Sequence, residues 1–274
     1  GARQCPFPLP RESGEREGPS PQGWEGEGQR KVSSFWKAPA LWVGLLFAAL
    51  LVDMRALTPL LAAAFPGVRP PVFDRASFTE LFLSHLGLVA VSSGTAALAG
   101  VALAVFVTRP AGRDFRTIAN MLATIGQTFP PAAVLALAVP ALGFGPRPTI
   151  VALFLYGLLP VLENALAGIE GVPGAVREAA RGMGLSSWQI LRDVELPLAA
   201  PVILAGIRVS VTIGIGTATI GSTVGALTFG TPIFDGLAGN KLSYVLQGAV
   251  LVALFAIVTD LLFALLARRL TPSG

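Results

Sequence analysis

The sequence predicts an all-α, polytopic membrane protein with six transmembrane helices. Three observations predict it. Of 274 residues, 53% are hydrophobic and only 13% are charged, against roughly 25% charged in soluble domains. Mean hydropathy is +0.68. Six segments approach the ~20 largely apolar residues that cross a bilayer, and short connections between them carry most of the basic residues.

Residues 1–35 differ from the rest. "GARQCPFPLPRESGEREGPSPQGWEGEGQR" is rich in Gly, Pro, Glu and Arg, too polar to bury surface against chain entropy, and reads as a disordered tail. It lacks the apolar core of a secretory signal. A first transmembrane helix and its external connection occupy 36–79, with the span at about 36–52 and Trp36 and Trp42 near an interface. The second span is about 81–107. The third, about 117–142, contains Pro130-Pro131, which removes backbone donors and predicts a kink. The fourth, fifth and sixth lie at about 149–168, 198–223 and 244–267, and 269–274 is a C-terminal tail. No internal repeat is visible.

Charge placement predicts orientation. With the amino terminus inside, inner flanks hold Arg30, Lys31, Lys37, Arg109, Arg113, Arg116, Arg177, Arg181, Arg192, Arg268 and Arg269. Outer connections hold Arg55, Arg69, Arg75, Arg147 and Lys241. The bias exceeds two to one and places both termini in the cytoplasm. The same distribution argues against nucleic acid as the reason for a pI near 9.8. One cysteine, Cys5, forms no internal disulfide, and one histidine, His85, leaves no basis for a protein-built metal site. His85, at the outer end of the second span, is expected to be an interfacial polar residue.

The connection between spans four and five, 170–197, is unusual. In "GIEGVPGAVREAARGMGLSSWQILRDVELPLAAP", Pro173 starts a helix whose Val176, Ala179, Ala180 and Met183 form a short apolar face. Gly182 and Gly184 permit a sharp turn. Ser186 and Ser187 cap a second short helix through Trp188, Ile190, Leu191 and Val194, which Pro197 is expected to end. The residues alone fit a solvated interfacial loop and a docking element equally well.

Here the chain resembles a known family. Glu178-Ala179-Ala180, then Gly184, then Val194-Glu195-Leu196-Pro197 resembles the EAA signature of binding-protein-dependent ABC transporter permeases, with Val194 in place of Ile. The resemblance implies the type I ABC importer permease fold over 80–268. It also implies that Glu178, Ala179, Ala180, Gly184, Val194, Leu196 and Pro197 form the segment coupling the permease to a separate ATP-hydrolysing subunit. ABC ATPase subunits, an extracytoplasmic solute-binding protein and a second permease copy or paralogue are the implied partners, in the cell membrane. The chain would hold no cofactor and no catalytic residue, with ATP bound by the partner. Consistently, no G-x-x-x-x-G-K-[ST] occurs. "IGQTFPPAAVLALAVPALGFGPRPTIVALFLYGLLP" and the stretch from Glu178 to Ser222 resemble the osmoprotectant branch, permeases for glycine betaine, carnitine, choline or similar solutes. Where that branch often carries G-A-G-G-L-G, this chain reads "GALTFGTPIFDGLAG". Methionine, phosphonate and sulfonate permeases share the architecture and are alternative readings.

Within the spans, Gly206, Ser210, Gly214, Ala218 and Ser222 recur every four residues, a stripe that packs helices closely or lines a translocation path. Ser92, Ala96, Gly100 and Ala104 repeat the pattern. Thr212, Thr217 and Thr219 offer weak polar contacts or bond their own backbone. Arg208 lies eleven residues past Pro197 and Asp260 eight before Arg268, similar depths at ~1.5 Å per residue. They are expected to pair, because a lone mid-span charge costs about 2.5–3.5 kcal/mol. An ATP-independent channel or secondary transporter would leave the polar loop without a role. An intramembrane enzyme is disfavoured, since the sequence shows no H-E-x-x-H and no convincing nucleophile–base pair.

Overall fold

The structure, a computed structural model, describes residues 37–270; the expected disordered tail, 1–35, and residues 271–274 lie outside them. The chain divides at Leu41/Trp42. The first unit contributes only the opening residues of α1, Lys37–Val52, and the second holds everything after it.

Eleven helices follow one another among the described residues. After α1 come α2 (Thr58–Ala64), α3 (Phe78–Val107), α4 (Arg116–Thr128), α5 (Pro131–Leu142) and α6 (Pro146–Glu170). Next are α7 (Gly174–Gly182), α8 (Ser187–Ile190), α9 (Leu196–Ala218), α10 (Gly230–Ala238) and α11 (Leu242–Leu270). Four helices are long and apolar enough to cross a membrane alone: α3, α6, the continuous run Ser187–Val224, and α11. Two bent pairs raise the number to six when each counts as one span: α1 with Met54–Ala64, bent by 90°, and Arg113–Thr128 with α5, bent by 96°.

The second bend has a local cause. Pro130 and Pro131 lack N–H donors, and a residue before proline avoids helical geometry. Phe129 (φ −72°, ψ 136°) and Pro130 (φ −57°, ψ 138°) are accordingly extended, so the expected kink is a full break. Pro131 then sits in the first turn of α5, where its missing donor costs nothing. Pro197 behaves differently from expectation. It does not end the second short helix of the 170–197 connection, because Leu191–Glu195 forms one wider turn in which the Leu196 N–H bonds the Leu191 carbonyl, five residues back. That shift occurs just before the residue without a donor, and the helix runs on into α9.

Helix α6 is the centre of the bundle and packs most extensively against α3 and α9. Small residues allow it. A Cβ on Gly206 would lie 2.6 Å from Asn164 Cβ and 2.7 Å from the Pro160 carbonyl oxygen. Ser210 sits against Gly157, and Gly214 faces Ser93, Val89 and Leu153. Ser92, Ala96, Gly100 and Ala104 are likewise buried on α3.

A second core gathers aromatic rings from distant elements. Phe47, Phe82, Phe229 and Phe255 pack with centroids 5.3–6.3 Å apart, in the stacked and edge-on geometries aromatic pairs prefer. His85 is inside this cluster, 0% exposed, which corrects its expected interfacial position. The helix end explains why. Thr219 N–H turns to the Gly216 carbonyl in a tighter turn, and His85 Nε2 donates to the neighbouring Ile215 carbonyl at 3.1 Å. Phe229 N–H donates to Nδ1 at 3.3 Å, so the two bonds together require the neutral Nε2–H tautomer. The connection 53–80 is similarly pinned: Gln247 accepts from Phe73 N–H at 3.1 Å and donates to the Pro71 and Ser243 carbonyls at 2.9 Å.

Candidate functional site

The segment between α6 and α9 is built from three local devices. Pro173 precedes α7 in extended geometry. α7 ends in a Schellman turn: Leu185 N–H bonds the Ala180 carbonyl at 3.2 Å and Gly184 N–H the Arg181 carbonyl at 2.9 Å. That turn needs a left-handed residue, and Gly184 supplies it at φ +84°. Ser186 and Gln189 then form a reciprocal capping box that starts α8.

These devices present apolar side chains outward. Glu178 and Ala179 are exposed while Ala180 is buried. Met183 is 74% and Trp188 67% exposed, with Val176 at 39%. The apolar face read from the sequence is thus divided, since Ala180 turns inward and Val176, Ala179 and Met183 do not. Val194 and Leu196 are half-buried and Pro197 is exposed.

Glu195 anchors the segment, a role the sequence reading did not give it. It is 3% exposed, its Oε2 accepts from Arg109 Nη2 at the end of α3, and its Oε1 lies 3.6 Å from Arg177 Nη1 on α7. Arg177 also donates to the Val172 carbonyl at 2.8 Å. One carboxylate therefore ties α7 to the end of α3 through the head of α9. A sequence signal existed: Glu195 lies four residues from both Leu191 and Ala199, which are buried, so it stands on the inward face. Nearby, Arg116 donates to Glu170 in a fork at 2.5 and 3.0 Å.

Elsewhere the structure places the remaining candidates as follows. Gly206, Ser210, Gly214 and Ala218 are buried and Ser222 half-buried, the first three against α6 and α3. Arg208 and Asp260 meet between α9 and α11 in a two-point contact at 2.5 and 2.6 Å, with both side chains about two-fifths exposed (40% and 42%). Thr212 and Thr219 donate to their own helix, to the Arg208 and Gly216 carbonyls. Among the described residues no group of His, Cys, Asp and Glu has metal-binding geometry.

The described residues form a multi-pass helical bundle with a polar, apolar-tipped helical turn between two spans. The chain belongs to the family described as binding-protein-dependent transport system inner membrane component, whose pattern matches residues 96–272. It is 44% identical over 188 residues to the osmoprotectant import permease protein OsmY of Salmonella typhimurium, covering 69% of this chain and 80% of that one. It is 44% identical over 189 residues to the choline transport system permease protein OpuBB of Bacillus subtilis, covering 69% and 85%. The glycine betaine/carnitine/choline permease OpuCB of Bacillus subtilis is 45% identical over 150 residues, 55% of this chain and 69% of that one. Among solved structures, an inward-facing MetNI methionine ABC transporter chain superposes with TM-score 0.63 at 22% identity, covering 71% of this chain and 96% of its own. A bacterial alginate ABC transporter chain gives 0.59 at 16%, covering 89% and 98%. Both share the fold.

Proposed function

We propose that this chain is the membrane-spanning subunit of an ATP-driven importer for osmoprotectants such as glycine betaine, choline or carnitine. In this reading 80–268 is the transport core and 170–197 its coupling segment, with Glu178, Ala179, Ala180, Gly184, Val194, Leu196 and Pro197 forming or holding the docking element. The observation that carries it is the exposed Val176, Ala179, Met183 and Trp188 on a turn tied into the bundle by buried Glu195. Apolar side chains at the tip of a polar segment suit a protein partner, because exposed clusters of this kind mark interaction sites.

The partner is a separate ATPase, one on each of two permeases, the second being another copy or a paralogue. ATP binding draws the two coupling segments together. Because Glu195 links α7 to α3 and α9, that motion reaches the spans as a rigid shift. A solute-binding protein delivers solute from outside, and hydrolysis resets the cavity. Both termini face the cytoplasm; the clustering of Arg109, Arg113, Arg116, Arg177 and Arg181 around one cavity at one end of the bundle supports this orientation. The solute class rests on the 44% identity to permeases named for osmoprotectants and choline.

The test is mild-detergent purification of the tagged chain from its native membrane, with mass spectrometry of what accompanies it. An ATPase should co-purify with the wild type and fall at least about tenfold with Glu178→Arg/Met183→Asp, as for loss of interface hot spots. Labelled glycine betaine uptake should be competed by choline or carnitine and not by methionine. A chain that emerges alone and moves solute in ATP-free vesicles contradicts the reading.

A further inference from the structure

Behind the coupling segment lies a cavity of about 480 Å³ between the ends of α3 and α6, the α3–α4 connection and α7. Its size exceeds by far the ~30 Å³ of one water molecule. Five guanidinium groups line it against two carboxylates, an excess of three positive charges. Both carboxylates are already engaged: Glu195 by Arg109 and Arg177, and Glu170 by the fork from Arg116. Arg113 and Arg181 have no ion-pair partner among the described residues. Arg109 Nε is buried without a hydrogen-bond acceptor. The like charges repel, and both carboxylates that line the cavity are already spent.

We propose that this cavity binds a phosphate group, the chemistry shared by a phospholipid headgroup and free phosphate. The spread of the donors selects phosphate over a carboxylate. The unspent donors come from three separate elements: Arg109 at the end of α3, Arg113 in the following turn, and Arg181 on α7. A phosphate offers acceptor oxygens in several directions, whereas a carboxylate offers two in one plane. Guanidinium forks bind phosphate as readily as carboxylate, and Ser187 lines the same wall. The surroundings suit a lipid. Phe106 and Phe115 pair with centroids 6.0 Å apart and are 46% and 52% exposed. Ile118 and Met121 on the next turns are exposed as well, an apolar surface beside the basic cavity where acyl chains can lie. The proposal depends neither on the solute carried nor on which way this end of the bundle faces.

The full chain, purified in mild detergent with whatever partners accompany it, tests this in two arms. In the first, native mass spectrometry counts phosphatidylglycerol retained relative to phosphatidylcholine. In the second, the melting temperature is followed as inorganic phosphate replaces chloride at equal ionic strength. Arg113→Gln/Arg181→Gln should weaken the bound species roughly thirtyfold, the scale of two lost basic contacts. Arg113→Lys/Arg181→Lys should keep the greater part, and Arg147→Gln at the other end of α6 should change nothing. Phosphatidylglycerol lost from the Gln variant identifies a lipid headgroup. A phosphate-dependent rise in melting temperature seen only with the wild type identifies free phosphate. If neither arm separates the wild type from the Gln variant, the proposal is wrong. Should the double Gln variant not fold, Arg113→Gln alone is read in the same way. Loss of transport or of ATPase co-purification alters neither readout, so this proposal and the functional one fall separately.

Discussion

The molecule holds two buried polar centres of opposite design. The first, around His85 and Gln247, is neutral and closed. His85 bonds one backbone carbonyl and one backbone N–H, and Gln247 makes three bonds to backbone. Aromatic rings seal His85 in, with Phe229 and Phe255 each 5.4 Å from it. The second, around Glu195, is charged and open, with arginines left over and a cavity beside it. A closed neutral centre fixes backbone segments to one another in apolar surroundings. An open charged centre holds a segment in place and leaves cationic donors unpaired.

The sharpest way to break the contrast is Glu195→Ala. It leaves Arg109 and Arg177 without their acceptor and should cost about 3 kcal/mol, the low end for a broken buried pair because both arginines are 29% exposed. Thermal melting in detergent measures it, and ATPase coupling should be lost together with stability. His85→Leu should cost about 2 kcal/mol by stranding the Ile215 carbonyl and Phe229 N–H, yet leave ATP hydrolysed per solute unchanged in the protein that folds. Equal loss of coupling in both variants would erase the distinction. Gly206→Ala should cost about 1–2 kcal/mol through overpacking against Asn164 and Pro160. Gly216→Ala on the same helix meets nothing within 4 Å and should be neutral or stabilising by up to about 1 kcal/mol. Of similar size is the coupling between Arg208 and Asp260. It should be about 1 kcal/mol in a double-mutant cycle of Arg208→Gln and Asp260→Asn, the scale of polar contacts between membrane helices; independent effects would show that the contact carries no stability.

Features set by neighbours in sequence were legible, and features set by neighbours in space were not. Span positions follow from local hydropathy, and the turn at Gly184 and the cap at Ser186 follow from residues within four positions. Arg208 and Asp260, placed at similar depth by counting residues from the helix ends, are brought together by the structure. His85 was misplaced because its burial depends on Phe229 and Phe255, which reach it only after folding. Glu195 needed Arg109, 86 residues away, although the buried Leu191 and Ala199 on either side marked its inward face. Pro197 was read as a stop because a wider helical turn that absorbs a missing donor has no composition of its own.

The central claim is that the turn at Gly184 transmits ATP hydrolysis to the spans, and Gly184→Val tests it most directly. Valine has the space, since nothing lies within 4 Å of its Cβ position, but φ +84° strains a β-branched residue. The measurement is solute moved per ATP hydrolysed in proteoliposomes holding the variant and its ATPase. Uptake should fall about fivefold or more, the scale of a 1–3 kcal/mol backbone strain released by reshaping the turn, while the chain remains in the membrane and ATP is still consumed. Wild-type uptake per ATP in that variant would contradict the account.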